Sequence, residues 1–363
     1  LDGTIRLWNL PDISSKSNSQ VLQGPENVNF SALTFTSDNR WLVAGGSTLE
    51  EQKKNSAIYV WDMSKNITTV LPKVMPAHDY HISKIALSPD GKWFASASTN
   101  GSARLWATNS FDYSAPGSPV TNSPSVLPPL QGAYVAMAVS PDGHWLAAAA
   151  GNTIADSPSQ IILKPLETIK NAGYSELEGS SFLLTGHEGP VTEITFSPDN
   201  RWLASASEDG YVRIWDVKSP KLSDPIYKVI EHPGKPQAVI FSPDNHWLAT
   251  AADGKEIFLW DIMDDSPSKA KIVLSGLEDD VNSSTIQFSP DGLWLAAGTY
   301  FGEVYVWKIT PIDQIQPLLK LVGHTDEITM LRFAGARSDQ LITASADTTA
   351  RIWRLDYQKA TST

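Results

Sequence analysis

The stretch from Leu184 to Val217 reads LTGHEGPVTEITFSPDNRWLASASEDGYVRIWDV, and its reading decides the fold. Val191, Ile194 and Phe196 mark a first strand. Pro198-Asp199-Asn200 follows as a turn: proline presets φ, and Asp and Asn bond their own backbone or tolerate left-handed conformations. Trp202-Leu203-Ala204-Ser205-Ala206-Ser207 is a second strand of small residues, and Glu208-Asp209-Gly210 signals a tight hairpin. Tyr211-Val212-Arg213-Ile214-Trp215 alternates β-branched and aromatic residues with others, as a third strand does. A weaker fourth strand precedes the next unit, as in Lys271-Ile272-Val273-Leu274.

The same unit recurs along the chain. Seven of the thirteen tryptophans close a third strand: Trp8, Trp61, Trp106, Trp215, Trp260, Trp307 and Trp353. The other six open a second strand after a turn: Trp41, Trp93, Trp145, Trp202, Trp247 and Trp294, spaced 45 to 57 residues apart. The turn returns as Ser88-Pro89-Asp90-Gly91, Ser140-Pro141-Asp142-Gly143, Ser242-Pro243-Asp244-Asn245 and Ser289-Pro290-Asp291-Gly292, with Ser37-Asp38-Asn39 as a reduced copy. The last unit has Gly335-Ala336-Arg337-Ser338-Asp339 instead. Four short strands per unit, with no helix-period segment, mean an all-β chain. A single four-stranded sheet cannot bury both faces, so neighbouring sheets must stack around an axis. A length of 363 residues would suit two or three ordinary domains, but the repeat fits one array of about seven units, a single domain over 1–363.

Composition narrows the function classes. Net charge is −12, which argues against nucleic acid, where clustered Lys and Arg must displace counterions. No run approaches the roughly 18 apolar residues of a membrane helix. Zero cysteines exclude disulfide and thiolate chemistry and say nothing of compartment. No Walker-type Gly-Lys loop, H-E-x-x-H or G-x-S-x-G is present, and the Asp-Gly pairs are turns rather than paired catalytic carboxylates. His78-Asp79-Tyr80-His81 places two histidines three apart, but zinc needs three or four ligands and His78 already belongs to the repeat. The expectation is therefore no catalytic residues, no metal and no cofactor.

Trp61-Asp62, Trp215-Asp216 and Trp260-Asp261, with Gly186-His187 and Gly323-His324, resemble the terminal and Gly-His dipeptides of WD40 repeats. The resemblance covers nearly the whole chain and implies a β-propeller, most often of seven four-stranded antiparallel blades. It also implies a buried network of His, Ser or Thr, Asp and Trp in each blade. Matching positions are His187, Ser205, Asp209 and Trp215, and His324, Thr343, Asp347 and Trp353. His78, Ser96 and Trp106 form a partial set with Asn100 at the acid position, and His232, Thr250 and Trp260 another with a lengthened hairpin. The unit around Ile161-Ile162-Leu163 lacks the Trp, and the unit ending at Trp307 has Ala297 and Phe301 at the polar positions, so apolar packing alone should hold both.

First and second strands occur seven times, the first strand of the sixth unit beginning near Thr285, but third strands eight times if one ends at Leu163. The resemblance suggests closure by strands from both termini. Gln20-Val21-Leu22 would then complete the blade of Ile328–Phe333, Leu341–Ser345 and Thr349–Trp353, displacing the redundant strand Thr4–Trp8. A first residue of Leu within a third strand reads as a fragment of a longer multidomain protein, with a covalently linked domain upstream.

Insertions fall at Ala107–Leu130 and Glu167–Ser181 on the bottom rim, and at Ser47–Ser56 and Gly151–Gln160 on the top face, by the geometry the family implies. Their compositions read first as spacers or solvated loops. The top mouth would be lined by Tyr80, His81, Thr99, Tyr134, Glu188, Glu208, Lys235, Asp279, Tyr300, Phe301 and Asp326. Aromatics beside acidic groups suit a basic or aromatic-bearing peptide. The SPDG turns resemble bacterial WD40 arrays, often joined in that family to signalling modules. The expected function is a non-catalytic protein- or peptide-binding propeller, scaffold or sensor of a larger bacterial signalling protein, in the cytoplasm. The alternative is a propeller hydrolase or lyase with its site in the central channel.

Overall fold

The computed structural model describes residues 4–8, 19–23, 28–36, 40–48, 56–65, 70–108, 125–126, 133–151, 159–166, 181–219, 226–252, 254–264, 271–309, 317–334, 339–347 and 349–355. They contain no α-helix. The chain divides into two compact units, Leu1–Gly186 and His187–Thr363, and each is described by itself.

The first unit opens with an antiparallel pair, β1 (Thr4–Trp8) and β2 (Ser19–Gln23). Blade one is β3 (Val28–Phe35), β4 (Trp41–Thr48), β5 (Ser56–Asp62) and β6 (Lys73–His78). Blade two is β7 (Ile82–Leu87), β8 (Trp93–Ser98), β9 (Ala103–Ala107) and β10 (Ser125–Val126). Blade three is β11 (Ala133–Val139), β12 (Trp145–Gly151), β13 (Ser159–Pro165) and β14 (Phe182–His187). In the second unit, blade four is β15 (Val191–Phe196), β16 (Trp202–Ser207), β17 (Tyr211–Asp216) and β18 (Ile226–Glu231). Blade five is β19 (Pro236–Phe241), β20 (Trp247–Ala252), β21 (Ile257–Asp261) and β22 (Lys271–Leu274). Blade six is β23 (Gln287–Phe288), β24 (Trp294–Gly298), β25 (Val304–Lys308) and β26 (Leu319–Leu321). Blade seven has three strands, β27 (Ile328–Ala334), β28 (Gln340–Ser345) and β29 (Ala350–Arg354). Every sheet is an antiparallel meander in chain order. First strands of successive blades adjoin, β3 with β7 and β7 with β11 in one unit, β15 with β19 and β19 with β23 in the other. This is the radial order of propeller blades.

The S-P-D-G or S-P-D-N turn explains the first hairpin of blades two to six. In Ser140-Pro141-Asp142-Gly143 the Ser140 hydroxyl donates to Asp142 Oδ1 at 2.6 Å and accepts from Trp145 N at 2.9 Å. The residue after the aspartate is left-handed wherever the turn is described: Gly91 (φ 66), Gly143 (φ 70), Asn200 (φ 62), Asn245 (φ 61) and Gly292 (φ 72). Glycine and asparagine bear this conformation at low cost, which is why only they occur there. Ala97, Ala206 and Ala251 stand four residues into the second strands, where blade one and blade six have Gly45 and Gly298. A Cβ on Gly298 would lie 2.6 Å from Ile328, and on Gly45 2.6 Å from Ile82. Small second-strand residues thus let the next blade's first strand close in. The apolar core lies between blades: Ala204, Ala206, Val212 and Ile214 of blade four meet Val239, Leu248, Phe258 and Trp260 of blade five.

Three expectations need correction. The third strand of blade three does not align on Leu163. Leu146 pairs with Lys164, as Leu203 pairs with Trp215, so a wholly buried lysine fills the tryptophan slot. Without its Trp, that strand had lost its sequence ruler. The first strand of blade six does not begin at Thr285: Ser283–Thr285 is a 3₁₀ turn, and only Gln287–Phe288 pairs with β24. The strand Thr4–Trp8 is not displaced: it is the partner of the strand at 20–22 along its whole length. A strand a few residues away costs far less loop-closure entropy than one at the far end of the chain. Ile5 and Leu22 of this pair pack onto Leu42, Tyr59 and Trp61 of blade one.

Candidate functional site

Blades two, four, five and seven each place a histidine, a second-strand hydroxyl and a third-strand tryptophan at fixed register. In blade four, His187 Nε2 lies 2.7 Å from Ser205 Oγ, and Trp215 Nε1 donates to the same oxygen at 2.9 Å. The Asp209 carboxylate can only accept, so His187 donates its Nδ1–H to Oδ2 at 2.9 Å, and Nε2 of the neutral ring accepts the Ser205 proton. That carboxylate also accepts from Glu188 N at 3.1 Å and from Arg213 at 2.9 Å. Burial opposes the charge of Asp209, but the bonds from His187 and two backbone amides outweigh it and hold its pKa at about 2. Burial lowers His187, against the pull of Asp209. Blade seven repeats the set. His324 meets Thr343 at 2.8 Å and Asp347 at 2.9 Å, Trp353 donates to Thr343 at 2.9 Å, and Thr325 N reaches Asp347 at 3.1 Å. Hydrogen bonds from Thr349 and His324 keep Asp347 well below the usual carboxylate range.

The partial sets depart from the pattern. In blade two His78 meets Ser96 at 2.8 Å, but its second partner is Ser102 at 2.8 Å, not Asn100. Asn100 instead accepts from the Ser102 hydroxyl at 2.7 Å. Burial and the Arg104 charge lower His78 to about 4. In blade five Trp260 donates to Thr250 at 2.8 Å, but His232 Nε2 is buried without a partner, its ring edge-on to Phe258 at 4.9 Å. Burial and Lys271 lower His232 to about 4 against a bond at Gly234. In blades one and six, Ala44 and Ala297 replace the hydroxyl, and Trp61 and Trp307 bury Nε1 unpaired. Two residues before the tryptophan, blades two, four and seven carry Arg104, Arg213 and Arg351, whereas blades one, five and six carry Tyr59, Phe258 and Tyr305. That alternation is visible in the sequence and separates polar from aromatic blade cores.

Blade six builds a staple of its own. The Tyr305 hydroxyl donates to Glu303 at 2.5 Å and accepts from Glu278 N at 3.3 Å, the duty that Asp209 performs for Glu188. Lys320 bridges Glu278 and Glu303, each at 2.8 Å, and those bonds raise its pKa. Burial and Glu303 raise Tyr305, while Lys320 and Tyr305 draw Glu303 down despite its burial. The sequence reading missed these four residues; the aromatic two before Trp307 was the available signal.

The loops above these cores carry the expected surface residues. In the first unit, Tyr80, His81 and Thr99 are exposed, and Thr99 N donates to His81 O at 2.9 Å. The side chain of Tyr134 lies outside the described residues, as does most of the four insertions. In the second unit, Glu188, Glu208, Lys235, Tyr300, Phe301 and Asp326 are exposed, and Asp279 is half-buried. Lys235 pairs with Glu208 at 3.4 Å. The Tyr300-Phe301-Gly302 hairpin is held on two sides. Tyr300 N donates to Asp280 O at 3.2 Å, and a Cβ on Gly302 (φ 89) would lie 2.7 Å from His324 O and 2.9 Å from Asp326 O. Phe301 stands 68% exposed on that fixed base. Among the described residues no three His, Asp or Glu converge as a metal site, and no helix is long and apolar enough to cross a membrane.

Residues 69–107, 179–216, 223–261 and 315–354 match the family described as WD domain, G-beta repeat. Each segment runs from a fourth strand through the third strand of the following sheet. The chain is similar to the target of rapamycin complex subunit LST8 of Saccharomyces cerevisiae, 51% identical over 37 residues, 10% of this chain and 12% of that one. It is similar to the serine-threonine kinase receptor-associated protein of Gallus gallus, 28% identical over 214 residues, 51% of this chain and 54% of that one. It is also similar to transducin beta-like protein 2 of Homo sapiens, 26% identical over 234 residues, 62% and 46% of the two chains. The chain thus spans about half the length of the latter two relatives and far less of the first. The four matched segments are WD40 repeats, and strand order and tryptophan spacing carry the same unit through the other described sheets.

Proposed function

We propose that the chain is a non-catalytic protein-binding module whose loop surface takes a basic or aromatic-bearing peptide segment. The observation that carries this reading is Phe301: an aromatic side chain 68% exposed on a hairpin braced from both sides. A rigid, solvent-facing ring loses little entropy on binding and gains much by desolvation. Asp326, on the segment packed against Gly302, and Glu188 and Glu208, on blade-four loops of the same unit, supply acidic charge. The relatives' names support a place in assemblies, one being a complex subunit and another receptor-associated. The carboxylates held lowest, Asp209 and Asp347, are each 7% exposed and taken up by His187 and His324, which weighs against the channel-enzyme alternative. Membership of a larger signalling protein and a cytoplasmic setting belong to the same proposal. The bacterial setting draws no support from these eukaryotic relatives.

Panning a random peptide display library against the full chain tests the reading. Basic or aromatic-bearing peptides should be enriched, and Tyr300→Ala with Phe301→Ala should weaken them at least tenfold without moving the melting temperature. Tyr80→Ala tests the first unit's loop in the same assay. Enriched peptides indifferent to all three changes would put the binding surface elsewhere.

A further inference from the structure

We infer that the Tyr300–Phe301 hairpin is an arginine-binding subsite, taking the guanidinium of an exposed arginine in a protein partner. This rests on the binding reading above and narrows it to one chemistry.

The argument starts from what surrounds Phe301. Its hairpin joins β24 to β25 and touches an acidic loop on either hand. Asp280 accepts from Tyr300 through its backbone oxygen, and the 324–326 segment is packed against Gly302. Both Asp280 and Asp326 are exposed. None of the ion pairs among the described residues uses either of them. Asp326 spends one oxygen on Glu327 N at 2.8 Å and keeps the other.

The nearby cations are already engaged. Lys320 sits between Glu278 and Glu303, and Lys255 donates to the Glu278 carbonyl. The nearby lysines are thus taken up, and the Arg351 guanidinium, beside Gly323, lies over the Trp353 ring at 5.9 Å. The Glu327 carboxylate accepts from Asn282 at 2.6 Å rather than from a cation.

An exposed aromatic ring on a hairpin that adjoins two carboxylate-bearing loops selects a flat, weakly hydrated cation. Guanidinium can stack on the ring while its in-plane N–H groups reach a carboxylate. An ammonium can approach the ring or the carboxylates, but as a strongly hydrated point charge it gains less from the combination. A neutral aromatic partner would leave the acidic flanks unused. Carboxylates on separate loops, with no third ligand converging, do not make a cation cage.

The test uses the full chain and three capped pentapeptides, Ala-Arg-Ala-Arg-Ala and its lysine and citrulline counterparts, titrated calorimetrically at one ionic strength. The arginine peptide should bind at least threefold tighter than the lysine peptide and tenfold tighter than the citrulline peptide. Phe301→Ala should cut arginine-peptide affinity at least fivefold and erase its advantage over lysine. Asp326→Asn should cut it as well, and Asp339→Asn, exposed at the opposite end of the β27–β28 hairpin, should not. Phe301 is exposed, so its loss should leave the melt unchanged, and a shifted melt is answered by Phe301→Leu, which keeps bulk without the ring face. Equal binding of arginine and lysine peptides, or an arginine affinity indifferent to Phe301→Ala, overturns the inference. If panned peptides still depend on Tyr300 in that case, the binding reading survives and only the arginine assignment falls.

Discussion

Trp215 and Trp307 occupy the same slot in different blades, and the difference between them is one hydrogen bond. Trp215 donates to Ser205, whereas Trp307 packs beside Tyr305 with its Nε1 unpaired. Truncating either to Ala removes a buried aromatic and should cost about 3–5 kcal/mol. Truncation to Phe separates the terms. Trp215→Phe should cost about 1 kcal/mol more than Trp307→Phe, because only the former strips Ser205 of a donor. Equal melts for the two Phe variants would mean that the network contributes nothing beyond packing. The histidines give a second residue-scale prediction. His78 and His232 are held neutral, with pKa values of about 4 against an ordinary 6.5. An unfolded chain then takes up protons that the folded one refuses, so stability is full above about pH 6.5 and falls as pH drops toward 4. Each site should contribute on the order of 1–3 kcal/mol to that fall. His232→Phe should flatten part of it in urea melts at pH 7.5 and pH 4.5, and an unchanged pH slope would remove His232 from the account.

At the scale of the hairpin, the turn position after Pro-Asp isolates backbone strain from packing. Gly143 is left-handed, and a Cβ built there meets nothing within 4 Å. Gly143→Ala should therefore cost about 1–2 kcal/mol from conformation alone. Gly143→Asn should cost less than about 0.5 kcal/mol, since Asn200 and Asn245 hold the same conformation. Gly298→Ala fails for the opposite reason, a Cβ 2.6 Å from Ile328, and should cost about 1–3 kcal/mol by overpacking. Thermal melts of the three variants should rank them so; a neutral Gly143→Ala would deny that φ fixes the residue choice. These elements were legible in the sequence because turn chemistry and tryptophan position are local. Blade three was misread by one residue, at Lys164, because its tryptophan is missing and alternation alone cannot fix register. Blade six hid its broken first strand for a related reason: Thr285 is β-branched, yet its hydroxyl bonds Asn282 O at 2.6 Å and closes a turn. The Glu278–Lys320–Glu303–Tyr305 staple joins three segments, and no spacing rule brings them together.

At the scale of the molecule, the N-terminal pair changes what its removal should do. Had Thr4–Trp8 been redundant, deleting residues 1–10 would have left stability untouched. Instead β1 is the partner of β2 throughout Thr4–Trp8. Ile5 is buried to 8% exposure, and Leu22 to 0%, over the face of blade one that carries Leu42, Tyr59 and Trp61. Losing Ile5 alone forfeits about 1.5–3 kcal/mol of burial, and β2 then presents an unpaired edge. Deleting residues 1–24 also takes Leu22 and uncovers Trp61, so an exposed aromatic face joins the open edge and favours association. Both truncations should melt below the full chain, the longer one lower still and with a larger apparent size on a sizing column. A 1–10 deletion that melts like the full chain would show that β2 finds another partner, and the packing of Ile5 on blade one would then contribute nothing to stability.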